Sequence, residues 1–197
     1  MTEKEKMLNG RFYDYRDPAL ERMREKAAGL LSLYNQTGFH ERGRRKELLK
    51  LVLGDVGENC TIELPFHCDY GCHLHIGKNF YSNIHFTVLD CADVYIGDNV
   101  LIGPNVGIYP PDHALDPVER AASLERSLPV NIRDGVWIGG HSVILGNVTI
   151  GENTVIGAGS VVTKDIPANV IAFGNPCRVY RKITEKDKMI YTCKESC

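Results

Sequence analysis

The chain has 197 residues, 43% hydrophobic and 24% charged, with 23 Lys and Arg against 25 Asp and Glu. This composition excludes a collagenous or disordered chain. A net charge of -2 gives no electrostatic case for nucleic acid or an anionic membrane.

No apolar run approaches the roughly 18 residues of a membrane helix. The charged start, Met1 to Lys6, lacks the apolar core of a secretory signal, so the expected location is cytoplasmic. There are seven cysteines and no Cys-x-x-Cys. Free thiols, several of them buried as small hydrophobes, are the expectation in a reducing compartment.

Residues 1–55 read as a helical cap. Asp17 followed by Pro18 is an N-cap with proline at the first helical position. Leu20, Met23, Ala27, Leu31 and Tyr34 then fall at helical spacing. A second helix is expected over Arg44–Leu53, burying Leu48, Leu49, Val52 and Leu53 and stopping at Gly54. Arg42, Arg44, Arg45, Lys46 and Lys50 make this stretch basic, which reads first as a solvated face.

From residue 56 to 172 a different pattern holds. Ile132, Ile138, Ile144, Ile150, Ile156 and Val162 recur at every sixth residue; Ile96, Ile102 and Ile108 form another block. Val56 and Ile62 begin a third, continued at this step by Cys68 and Leu74. Period six suits neither an α-helix nor ordinary hairpins. It suits a solenoid in which each unit holds one short strand and one turn, stacked on its copies in neighbouring coils. The pattern slips by two residues between Ile76 and Ile96, and vanishes over residues 109–129. That proline-rich stretch is expected to be a functional loop ejected from the solenoid. Residues 173–197 are a closing segment, with a helix expected at 184–191.

Several stretches carry a resemblance: Phe66 to Gly71, Ile76 to Tyr81, Asp112 to Arg120, Val136 to Gly140, Gly157 to Asp165 and Asn9 to Asp14. With them the chain resembles the hexapeptide-repeat acetyltransferases, in particular the maltose and galactoside O-acetyltransferase group. The resemblance implies a left-handed parallel β-helix and a homotrimer with active sites between subunits. It also implies transfer of acetyl from acetyl-CoA to a sugar hydroxyl.

Such a hydroxyl needs a base, and its attack on a thioester needs donors for the oxyanion. Of seven histidines only His113 lies in the excursion, between Asp112 and Asp116. It matches the family's catalytic histidine. The resemblance assigns acceptor binding to Asp14, Asp69, Tyr81 and Asn83, with Asp17 as rival to Asp14. It assigns the coenzyme to Trp137, Gly140, Ala158, Thr163, Lys164, Arg178 and Arg181. Cys91 stands where some members have an acidic acceptor contact. His85 replaces an asparagine of close relatives and lies 18 residues after His67, a spacing that stacks the two if the two-residue slip falls later in the chain. His67, Cys68, Cys72, His73 and His75 match no common zinc spacing, and no metal is expected. Three other readings remain: the same scaffold acting on another hydroxyl or amine, a non-catalytic β-helix, and a zinc-binding relative.

Overall fold

The computed structural model describes residues 1–188. Three helices open the chain: α1 (Glu3–Leu8), α2 (Pro18–Asn35) and α3 (Arg42–Val52). The Asp17 carboxylate accepts hydrogen bonds from the N–H groups of Ala19 and Leu20, so Asp17 is an N-cap. Leu20, Ala27, Leu31 and Tyr34 are buried as their spacing requires, and α3 buries Leu48, Leu49 and Val52. The sequence reading placed α3 two residues late and gave α1 no bounds of its own.

The rest is a parallel β-helix of three sheets. The first stacks Asp55–Val56, Leu74–Ile76, Val94–Ile96, Val130–Ile132 and Val148–Ile150. The second runs from Thr61–Ile62 through Tyr81–Ser82, Leu101–Ile102, Trp137–Ile138 and Val155–Ile156 to Val170–Phe173. The third stacks Phe66–Cys68, Phe86–Val88, Gly107–Tyr109, Val143–Leu145 and Val161–Val162. Like residues sit on like residues, as in Ile96 on Ile132 on Ile150 and Ile102 on Ile138 on Ile156. Each coil thus buries the inward aliphatic that a single unit cannot.

The register corrects two expectations. Ile76, not Leu74, stacks on Val56, so the first rung already spans 20 residues. His67 pairs with Thr87, so His85 does not stack above it; His85 occupies a turn with φ of 60°. The two extra residues fall at the corner between the third and first sheets, after Cys68 and again after Val88. The buried Asp90 carboxylate braces that wide corner by accepting the N–H groups of Tyr70 and His73.

Left-handed turn positions at the corner between the first and second sheets carry Asn59, Asn79, Asn99, Asn153 and Asn169. Asparagine tolerates this conformation, and the amides of Asn59, Asn79 and Asn99 form a hydrogen-bonded ladder. Leu31, Tyr34, Leu48, Leu49, Val52 and Leu53 join the solenoid core and close its open end. At the other end Arg178–Lys182 pairs antiparallel with Val170–Phe173. A short 3₁₀ turn, Glu185–Asp187, stands in the described part of the expected 184–191 helix; residues 189–191 lie outside the described residues.

The excursion is structured. Pro111–His113 and Leu124–Ser127 form an antiparallel pair around a short helix, α4 (Pro117–Ala121), and Tyr13–Asp14 adds a third strand. The N-terminal segment thus reaches across the chain to the residue range that breaks the repeat.

Candidate active site

The excursion leaves the solenoid between the third and first sheets, at the corner that also carries Asp69 and Cys91. His113 lies opposite Glu125, and Glu125 lies opposite Tyr13. Directly opposed side chains share a face of the sheet. The Glu125 carboxylate therefore meets both neighbours: it accepts the Tyr13 hydroxyl and lies 3.8 Å from His113 Nε2. His113 Nδ1 faces the Leu124 carbonyl at 3.5 Å, and the Tyr15 ring stands edge-on to the imidazole at 6.2 Å. His113 is half exposed, whereas the Glu125 carboxylate is nearly enclosed.

Behind this pair the polar contacts continue. The Cys91 thiol donates to Asp69 Oδ2 at 3.4 Å. Burial pushes the Asp69 carboxyl above the usual range; the Cys91 contact opposes this, while Asp90 and Glu125 add to it by repulsion. Burial also pushes up the Cys91 thiol and the Tyr13 hydroxyl, so both remain protonated donors. Arg24 on α2 ties the corner together, donating to the Tyr70 hydroxyl at 2.7 Å and to the Tyr15 carbonyl at 2.8 Å. Asp14, next after Tyr13, points to the other face of the strand, with its carboxylate held by Arg16. Asp17, its rival in the sequence reading, is occupied in capping α2.

The other candidates lie elsewhere on the solenoid. Tyr81 and Trp137 share the outward row of the second sheet, with Leu101 between them. All three are exposed, at 36%, 53% and 48% respectively. Asn83, Gly140 and Ala158 sit at the corner between the second and third sheets. Gly103 allows the close stacking there, since a Cβ on it would stand 2.5 Å from the Gly140 nitrogen. Among the described residues the Gly140 N–H has no acceptor, whereas its neighbours Gly139 and His141 donate to Ile156 and Pro104. Thr163 and Lys164 follow the last strand of the third sheet. Arg178 and Arg181 lie on the exposed final strand, where Arg181 is held by two 2.7 Å bonds to Asp187. Within one chain, then, His113 and Asp69 both neighbour Glu125 and Asp14 points to the other face of the Tyr13 strand, while Asn83, Gly140 and Ala158 occupy another corner.

Sequence reasoning missed Glu125, Tyr13, Tyr15 and Arg24. A lone carboxylate in a charged stretch carries no signal, and the contact that joins it to Tyr13 spans 112 residues. The histidine–cysteine cluster disperses: His73 bonds the Asp90 carbonyl, and His75 lies between Asp55 and Asp93, stacked on Tyr95. Among the described residues no three metal-ligating side chains converge.

Comparison with known proteins bears on what this arrangement is for. Residues 6–57 match the maltose acetyltransferase hexapeptide capping motif, and residues 129–164 match the bacterial transferase hexapeptide with its six repeats. Galactoside O-acetyltransferase of Escherichia coli K12 is 42% identical over 97% of this chain and 94% of its own length. The chain belongs to the maltose and galactoside O-acetyltransferase family. It is an acyltransferase by that membership. A putative acetyltransferase of Saccharomyces cerevisiae is 48% identical over 93% of this chain and 94% of its own. The crystal structure of a maltose O-acetyltransferase from Clostridium difficile 630 superposes with a TM-score of 0.92 at 48% identity, covering 94% of this chain and 99% of that one. A galactoside acetyltransferase in complex with coenzyme A gives 0.93 at 42% identity, covering 97% and 96%. No helix among the described residues is long and apolar enough to cross a membrane.

Proposed function

We propose that this protein transfers acetyl from acetyl-CoA to a hydroxyl of a maltose- or glucose-type sugar, with His113 as general base. The observation that carries this reading is the placement of His113. A half-exposed imidazole stands on a hairpin clear of the coils, beside an enclosed carboxylate. The Leu124 carbonyl favours the proton on Nδ1, which leaves the Nε2 lone pair for an incoming hydroxyl. His113 Nε2 takes the hydroxyl proton as the oxygen bonds to the acetyl carbonyl carbon. The tetrahedral adduct collapses, the C–S bond breaks, and the imidazolium returns the proton to the departing thiolate. The carboxylate of Glu125 at 3.8 Å stabilises the imidazolium formed in between.

Asp69 would serve as a hydrogen-bonding partner for sugar hydroxyls on the His113 side, and Asp14 would do so only from the opposite face of its strand. Tyr81 and Asn83 lie on another face and would reach the acceptor from a neighbouring subunit. The working site is accordingly placed between subunits of a homotrimer. The exposed row of Tyr81, Leu101 and Trp137 supports this, being an apolar stripe with no cover in the single chain. Trp137, Gly140 and Ala158 would line the pantetheine groove, with the free Gly140 N–H as oxyanion donor. Lys164, Thr163 and Arg178 would meet the nucleotide end, and Arg181 only on release from Asp187. The test is coenzyme A release from acetyl-CoA over maltose, glucose, galactosides and amine-bearing antibiotics, with the product identified by mass. Sugar esters are expected. Release with amines alone, or with no acceptor tried, would overturn the assignment.

A further inference from the structure

Glu125 can steady a charge on His113 only while its carboxylate stays aimed at the imidazole. The terminal torsion of a glutamate is broad and roughly two-fold, so burial alone does not aim it. Oε2 lies 3.8 Å from His113 Nε2, while Oε1 accepts the Tyr13 hydroxyl. Among the described residues, Tyr13 makes the one hydrogen bond to this carboxylate, and His113 is the one basic side chain within 4.0 Å of it. Arg24 is engaged elsewhere, with the Tyr70 hydroxyl and the Tyr15 carbonyl. Tyr13 itself has little freedom. Its side chain is fully buried among Met7, Leu20, Tyr70 and Cys91, which come from α1, α2 and the wide corner of the solenoid. Its backbone pairs directly opposite Glu125. The approach to it is fixed as well: Gly10 turns the chain at a φ of 65°, and the Glu3 carboxylate accepts the Asp14 N–H at 2.7 Å, tying α1 to the strand.

We propose, resting on the reading of His113 as general base, that Tyr13 is a positioning residue for the transfer and acts through Glu125. The Tyr13 hydroxyl holds Oε1, so that Oε2 faces Nε2 when the imidazolium forms. A neutral donor suits this task better than a cation. A lysine or arginine in its place would aim the carboxylate but also offset its charge, and the pull on the imidazolium would weaken. A hydroxyl aims without offsetting. Burial keeps the phenol protonated, so the donor remains a donor. The N-terminal segment thereby serves the reaction and not only the closure of the solenoid.

The test is Tyr13→Phe, which keeps the ring in its packing and removes only the hydroxyl. Steady-state acetyl transfer from acetyl-CoA to maltose or glucose is measured with this change in the parent and in a Glu125→Gln background. In the parent, kcat should fall by roughly fivefold with KM for acetyl-CoA unchanged, as for an interaction realised in the transition state. With Glu125→Gln in place no charge is left to aim, so Tyr13→Phe should cost less than about twofold. A tyrosine that only packs would change kcat by the same factor in both backgrounds. Retained coenzyme A affinity by calorimetry shows that the variants are folded. The proposal is overturned if Tyr13→Phe turns over at the parental rate, if its loss is equal in both backgrounds, or if KM for acetyl-CoA rises while kcat holds. His113→Ala, measured beside it, separates that failure from failure of the underlying reading. An inactive His113→Ala with a fully active Tyr13→Phe keeps the base and removes the part given to Tyr13, whereas His113→Ala at the parental rate removes both.

Discussion

The lowest strand of the third sheet, Phe66–Cys68, has no coil beneath it, and an unpaired edge invites misassociation. Asn35, the last residue of α2, supplies what the missing coil would. Its side-chain amide donates to the Phe66 carbonyl at 2.8 Å and accepts the Phe66 N–H at 2.9 Å. Asn35→Ala removes both bonds beside a fully buried side chain. At about 0.5–1.5 kcal/mol net for each bond, the loss is about 2 kcal/mol. A chain of this size shifts its Tm by about 2–4 °C per kcal/mol, so a fall of about 4–8 °C is expected. Asn35→Asp keeps the acceptor but sets a carboxylate against the Phe66 carbonyl, and should lose at least as much. Circular-dichroism melts must be run at one protein concentration, since subunit association shifts Tm. Hydrogen exchange at the Phe66 N–H reads the same bond locally. A Tm within about 1 °C of the parent, with unchanged Phe66 protection, would show that something else closes this edge.

Further outcomes follow from other positions. Glu125→Gln keeps an acceptor for Tyr13 but removes the charge beside the imidazolium, so kcat should fall by roughly tenfold at unchanged coenzyme A affinity; unaltered steady-state kinetics would remove Glu125 from the mechanism. Asp69→Asn tests burial. The folded carboxyl is held above its unfolded value of 3.8, so the folded state keeps its proton longer and the parent loses stability as pH rises through that window. The variant should therefore melt higher than the parent near pH 7, with the gap closing toward pH 3, and a gap independent of pH would contradict this. Gly29 lies inside α2 with nothing within 4 Å of a new Cβ, so Gly29→Ala should stabilise by about 0.5–1 kcal/mol. Gly103→Ala sets its Cβ 2.5 Å from the Gly140 nitrogen and should cost about 1–3 kcal/mol; chemical denaturation separates the two signs.

The solenoid was legible because its core is built from one repeated contact. An aliphatic recurs every sixth residue, so a single register runs through all three sheets in turn. The two-residue expansions were legible only in part. One showed as a slip between Ile76 and Ile96, while the other hid because Leu74 is aliphatic at the position the unexpanded period predicts. His113 could be singled out because it falls where the repeat breaks. Its surroundings could not. Glu125 and Tyr13 reach it through a three-stranded sheet joining the first 14 residues to the excursion, and neither segment is long enough to announce a strand. Cys91 and Asp69 meet across successive coils, at corners whose width no local pattern reveals.

His113 itself is the most direct point of attack. Single-turnover acetyl transfer to maltose or glucose should be measured for the parent and His113→Ala, alongside coenzyme A affinity by calorimetry. Loss of a general base predicts a rate lower by about 100-fold or more with coenzyme A affinity nearly intact. A variant that transfers acetyl at close to the parental rate would contradict the assignment of His113 as the base.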